Sequence, residues 1–208
     1  MFIERPPKWF RRLFPGALFR MPADPESPKV YLTFDDGPIP EVTPWVLDVL
    51  DLYEVKASFF MVGENVERNP GLLEDVMSRG HCVGNHTLHH MKGMGKSVKT
   101  YLNDAIEGSL LTGSQLFRPP HGLLSPSQLR KLKKFFKVVM YDVVTRDYSS
   151  RLDANEVVEN VKNYTRDGSI IVFHDSLKSL PRLRKALPES LSWLRDQGYE
   201  FKTISQVI

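Results

Sequence analysis

The chain has 208 residues, 41% of them hydrophobic and 25% charged, with a net charge of +3 and one cysteine. That length suits one domain with a substantial core. The small charge excess excludes a nucleic-acid signature, the lone Cys82 excludes an intrachain disulfide, and no apolar run of about 18 residues predicts a membrane span.

Residues 1–28 form a basic, aromatic arm with Lys8-Trp9-Phe10-Arg11-Arg12-Leu13-Phe14 and Ala17-Leu18-Phe19-Arg20. Arg11, Arg12, Pro15 and Arg20 interrupt every candidate apolar core of a secretory leader. No cleavable leader is expected, which favours a cytoplasmic or membrane-associated compartment over secretion. The arm is expected to pack its aromatics against the base of the fold. A peripheral membrane contact is the alternative, since aromatics beside Arg and Lys suit that interface.

Residues 29–208 then alternate strand and helix patterns. A strand at Val30–Phe34 leads into Asp35-Asp36-Gly37-Pro38. Thr43-Pro44 predicts a helix start, with Val46, Val49, Leu50 and Tyr53 on one buried stripe. Ala57–Val62 is the second strand, and Asn69-Pro70 opens a helix that Gly80 closes. A short strand from His81 holds Cys82, expected to be a core residue, and runs into His86-Thr87-Leu88-His89-His90. A helix near Val98–Leu110 precedes a strand at Leu116-Phe117 and the segment Arg118-Pro119-Pro120-His121-Gly122. Ser125-Pro126 caps a helix ending near Phe136, and Val138–Val143 is the fifth strand. Asp153 and Glu156 form a capping box, Ser169–Phe173 is the sixth strand, Pro188 is expected to start the last helix, and Glu200–Ile204 is the seventh strand. Seven strands alternating with helices predict an α/β fold with a parallel sheet in a single domain.

The chemistry-bearing residues fall at one end of these strands. Asp35-Asp36, His86 and His90, Arg118, Asp147 and His174 each sit at or just past a strand's C-terminal end, where barrels of this kind gather their active sites. Successive strand residues face opposite ways, so Asp35 and Asp36 share a site only if the chain bends there, which Gly37-Pro38 permits. One carboxylate then holds a metal while the other handles a proton. His86 and His90, four apart, share a face if one helical turn follows the strand, and with Asp36 they make a three-ligand site suited to zinc. His89 is the rival ligand. His174 closes an apolar strand and is available as a general acid, with Asp147 to orient it. Arg118 can pair with Asp35.

These segments resemble, in order, the motifs of the polysaccharide deacetylases of carbohydrate esterase family 4, the NodB-homology domain. Thr33-Phe34-Asp35-Asp36-Gly37-Pro38, His86-Thr87-Leu88-His89-His90, Arg118-Pro119-Pro120-His121-Gly122, Asp147-Tyr148 and Val172-Phe173-His174 carry the likeness, which spans residues 29–208. The resemblance implies a distorted (β/α)7 barrel and a metal-dependent removal of N-acetyl groups from a glycan such as peptidoglycan or a chitin-like chain. It implies Asp35 as base, Asp36, His86 and His90 as ligands of a divalent metal (zinc first, cobalt or nickel otherwise), Arg118 as the residue that orients the base, and His174 as acid. Pro120 and His121 would border the oxyanion site, His121 through its backbone N–H. Tyr148 stands where the family usually has Trp, and Val172 where it has Leu; both would line the acetyl pocket. An O-acetyl esterase and a silent glycan-binding protein of the same fold are the alternatives.

Overall fold

A computed structural model describes residues 4–204. The ends of the predicted arm and of the predicted domain, 1–3 and 205–208, lie outside the described residues. The chain runs α1 (Lys8–Arg12), β1 (Lys29–Asp35), α2 (Thr43–Leu52), β2 (Ser58–Met61), α3 (Gly63–Arg68), α4 (Pro70–Ser78), β3 (Cys82–Asn85), α5 (Val98–Thr112), β4 (Leu116–Phe117), α6 (Pro126–Leu132), β5 (Lys137–Val138), β6 (Val143–Val144), α7 (Ala154–Tyr164), β7 (Ser169–His174), α8 (Leu180–Asp196) and β8 (Glu200–Phe201).

The strands form one parallel sheet in the order β5-β4-β3-β2-β1-β7-β6, with β8 paired to the start of β1. It is a curled half-barrel covered by helices. Parallel strands are buried on both faces and therefore read as continuous apolar runs; all of β1 after Lys29 is buried. Its side chains still divide by parity. Val30, Leu32 and Phe34 pack outward against the helices, with Phe34 stacked on Phe59 at 5.0 Å and on Phe173 at 5.9 Å. Tyr31 packs inward beside Phe60, Leu116, Val139 and Ile170. Thr33 and Asp35 follow on Tyr31's side of the strand. Each large apolar side chain so buried contributes about 1.5–3 kcal/mol.

The predicted fifth strand is two strands. Its start, β5, pairs with β4, and its end, β6, pairs with β7 on the other edge of the sheet, so this segment spans the gap that an open sheet leaves. The arm runs up the same seam. Leu18 bridges to Val139 and Arg20 to Ser169, while Val144 N–H donates to Glu4 O at 2.8 Å near the opposite end. Phe14 and Phe19 are buried with Phe117, Leu132 and Phe136. The arm thus reaches from the base of the barrel to its rim, beyond the basal packing its composition suggests.

Two helices depart from expectation. The turn after β2 continues into α3, with Val66 buried. The last helix starts at Leu180, eight residues before Pro188, and passes through that proline. A proline there leaves the Arg184 carbonyl without its helical donor, but Arg184 is exposed and water can serve it. The buried stripe of Leu183, Ala186, Leu187, Leu191 and Leu194 keeps the helix continuous. Cys82 is partly buried against the inner cluster, as its strand position implied.

Candidate active site

A cleft of about 560 Å³ opens at the C-terminal end of the strands. Asp35, Asp36, His86, His90, Arg118, His121, Tyr148, Val172 and His174 all line it. Two predicted residues stand behind the wall: Pro120 is buried beside Pro119, which does face the cleft, and Asp147 is fully buried beneath His174.

Asp35 and His174 are register partners on β1 and β7, so the sheet itself fixes their separation. Asp35 Oδ1 accepts from Arg118 Nη1 at 2.6 Å, and that nitrogen also donates to Thr33 Oγ1 at 2.7 Å. Arg118 Nη2 donates to Met140 O at 3.0 Å, and the guanidinium lies 4.0 Å over the Phe60 ring. Arg118 is 2% exposed, so this is no surface ion pair worth a fraction of a kcal/mol. A guanidinium held at three points can set the carboxylate's orientation.

The next residue turns out of the strand. Asp36 has φ +85, a left-handed conformation that short polar residues tolerate, and that turn brings its carboxylate round to the cleft. Asn65 Nδ2 donates to Asp36 O at 2.8 Å. Asp175 secures the turn from the other side, accepting from Gly37 N–H at 3.0 Å and from Thr43 Oγ1 at 2.7 Å. Burial pushes the Asp175 carboxyl up to about 8. Sequence reasoning missed Asp175, Asn65 and the second role of Thr43. Only the adjacency of Asp175 to His174 could have signalled the first.

His86 and His90 meet without the helical turn that their spacing suggested. Left-handed residues at Thr87 (φ +66) and His90 (φ +51) fold the loop back, leaving the two rings 5.1 Å apart. His86 Nδ1 donates to Arg118 O at 2.8 Å, which fixes the tautomer and leaves Nε2 as the free lone pair. Burial lowers the His86 imidazole to about 4, so it is neutral, the form that binds metals. His90 Nε2 lies 3.2 Å from Asp36 Oδ1. Burial opposes ionisation of Asp36, but the His90 hydrogen bond and the imidazoles of His174 and His86 outweigh it and hold the carboxyl well below its usual range. One ligand atom each from Asp36, His86 and His90 lies within 4.8 Å of the others. A neutral imidazole of fixed tautomer, a second imidazole and an ionised carboxylate, converging with an open side, fit a zinc-type cation. His89, the rival ligand, turns away to Asp104 and Glu64.

Across the cleft, His174 Nδ1 and backbone N–H both donate to Asp147, each at 2.8 Å. Burial alone would lower this imidazole, yet the Asp147 carboxylate prevails and raises it to about 9, so a protonated His174 faces the cleft at neutral pH. Tyr148 sets its ring 4.8 Å from His174, edge to face. His121 adopts φ +60 in a short 3₁₀ turn. Phe10, Met140 and Tyr141 also line the cleft; nothing in their local sequence marks them, because the seam between β5 and β6 and the path of the arm put them there.

A family model described as polysaccharide deacetylase matches residues 23–136. A peptidoglycan-N-acetylglucosamine deacetylase of Bacillus cereus is 33% identical over 193 residues, covering 88% of this chain and 90% of the relative. The peptidoglycan-N-acetylmuramic acid deacetylase PdaC of Bacillus subtilis is 35% identical across 88% of this chain, which spans 39% of that longer protein. Among solved structures, a peptidoglycan N-acetylglucosamine deacetylase crystallised with 4-naphthalen-1-yl-N-oxidanyl-benzamide superposes with a TM-score of 0.86 at 30% identity, covering 96% of this chain and 94% of that one.

Proposed function

Because the chain belongs to the polysaccharide deacetylase family, we propose that it hydrolyses N-acetyl groups on amino sugars of a peptidoglycan- or chitin-like glycan and releases acetate. The observation that carries this reading is the pairing of Asp35 and His174 across one cleft, each locked by its own buried partner, beside three converging metal-binding groups. A divalent cation on Asp36, His86 and His90, zinc first, would polarise the acetamide carbonyl and acidify a water.

In this reading Asp35 takes the proton from the attacking water. Its Oδ1 is occupied by Arg118, so Oδ2 is the free base. As the carbonyl carbon becomes tetrahedral, negative charge gathers on its oxygen, and the backbone N–H of His121 is the chain's nearby donor; comparable donors elsewhere stabilise such charge by about 3–4 kcal/mol. His174, with Nδ1 tied to Asp147, gives the proton on its other ring nitrogen to the departing amine as the C–N bond breaks. Val172 and Tyr148 close round the acetyl methyl.

The test is acetate release from N-acetylglucosamine oligomers by protein loaded with zinc or cobalt, with Asp35→Asn as control. Metal-dependent release that Asp35→Asn abolishes supports the proposal. Release from O-acetylated sugars alone would make it an esterase, and metal binding with no acetate from either would make it a silent glycan binder.

A further inference from the structure

Charge is spread unevenly over the rest of the molecule. Residues 5–23 and 119–141 carry 10 of the 28 basic side chains and none of the 25 acidic ones. The fold lays these two stretches side by side. Leu13 and Pro15 from the first and Pro126, Leu129, Arg130 and Lys133 from the second line one surface groove, and Lys133 Nζ donates to Pro15 O at 2.8 Å.

On α1 the division between faces is sharp. Phe10 and Phe14 turn into the aromatic cluster with Phe19, and Lys8, Trp9, Arg12 and Leu13 remain outside. Trp9 and Leu13, four apart on one face, are each 56% exposed. Just past α6, exposed Lys134 is followed by Phe135, itself half exposed. A solvated surface helix has no need of an outward tryptophan and leucine amid arginines and lysines. Headgroups do offer such residues a partner, since apolar tips enter the acyl boundary while the cations meet anionic phosphates.

We propose that the α1–α6 face is a docking surface for an anionic lipid bilayer. Charge complementarity selects an anionic surface, and the outward apolar side chains select a bilayer over a soluble polyanion. Pro6 and Phe10, on the arm that carries Trp9, line the catalytic cleft, as does Leu123 just ahead of α6. Docking would therefore hold the cleft mouth next to the membrane, where glycan close to the bilayer can reach it. The binding is independent of any deacetylation.

The experiment is co-sedimentation of the full chain with phosphatidylcholine vesicles, with and without phosphatidylglycerol. Each basic residue near an anionic surface is worth about fivefold in partitioning at physiological salt, so Arg130→Glu with Lys134→Glu should weaken binding by roughly tenfold or more. Trp9→Ser with Leu13→Ser should weaken it comparably and remove a blue shift in tryptophan emission on binding. These four side chains are exposed, so thermal melting should be unchanged. Absence of sedimentation by the wild type, or equal sedimentation with and without phosphatidylglycerol, overturns the proposal whatever the variants do. Loss of binding on charge reversal but not in the Trp9/Leu13 variant also overturns it, and would point to a water-soluble anionic polymer.

Discussion

Among the described residues, two buried aspartate carboxylates hold arginines, and they are finished differently. Asp142 is fully enclosed at the seam, where its Oδ1 receives Arg11 and Arg166 and its Oδ2 receives Arg166 at 2.9 Å and Ser169 at 2.8 Å. Both oxygens are saturated. Burial would raise its carboxyl, but Arg166, Arg11 and Ser169 overcome that and hold it down at about 2. Asp35 at the rim has one arginine on Oδ1, while its Oδ2 faces His86 Nε2 from 4.0 Å, too far for a hydrogen bond. The same pair of residue types makes a clamp where every lone pair is used and leaves a carboxylate oxygen open to the cleft where one is left over.

That contrast is open to test. Asp35→Asn should cut acetate release by roughly 10²–10⁴-fold, as expected for loss of a general base, measured well below its melting transition; it should also lower the melting temperature, because the buried Arg118 guanidinium loses its counter-charge. Asp147→Asn should follow, with roughly 10²-fold lower activity. In the metal-free protein, NMR titration should place His174 near 9, and Asp147→Asn should lower it, because burial is then opposed only by the more weakly acting carboxylates of Asp36 and Asp35. Since the folded value exceeds the unfolded one, the stability from this pair is full below pH 6.5 and is lost as pH rises through 9. A bound cation competes for Asp36, which also supports the charge on His174, so metal loading should move the titration to lower pH.

Asp142→Asn should differ from Asp35→Asn in activity, keeping it below the melting transition while costing about 1–3 kcal/mol of stability. Asp142 lies below its ordinary 3.8 when folded, so its contribution is present above about pH 4 and disappears as pH falls through about 2. Melting temperatures across that range should converge for wild type and Asp142→Asn. Smallest of all, Phe10→Ala should raise KM for sugar oligomers by a few-fold with kcat little altered, because Phe10 forms cleft wall and touches no reacting group.

The Asp35–Asp147 side of this comparison was readable from order along the chain. Strand alternation put Asp35 and Asp36 on opposite faces, the Gly37-Pro38 turn explained how they could share a site, and Arg118, His86, His90 and His174 each followed a strand. The Asp142 side was not readable. It depends on the 137–144 segment leaving one sheet edge and joining the other, and on residues 4–20 filling that seam, where Leu18 meets Val139 and Glu4 meets Val144 from 121 and 140 residues away; no local pattern encodes either step. The histidine loop shows a third case. Spacing paired the right residues, but through a helical turn, whereas left-handed Thr87 and His90 do the work. Pro188 misled for a related reason, since a buried stripe outweighs one missing hydrogen bond.

The register of β1 against β7 has a consequence for the order in which the molecule comes into being. Thr33 pairs with Val172 and Asp35 with His174, so the floor of the cleft joins segments nearly 140 residues apart. During synthesis the carboxylate end of β1 emerges early and waits through five further strands of sheet before its neighbour arrives. Parallel pairings this distant close late and slowly. Any nascent or truncated chain that stops short of His174 can carry the converging Asp36, His86 and His90 side chains but not the imidazole proposed as their acid. On the proposed mechanism, the full set of groups is therefore assembled only when the barrel is almost complete.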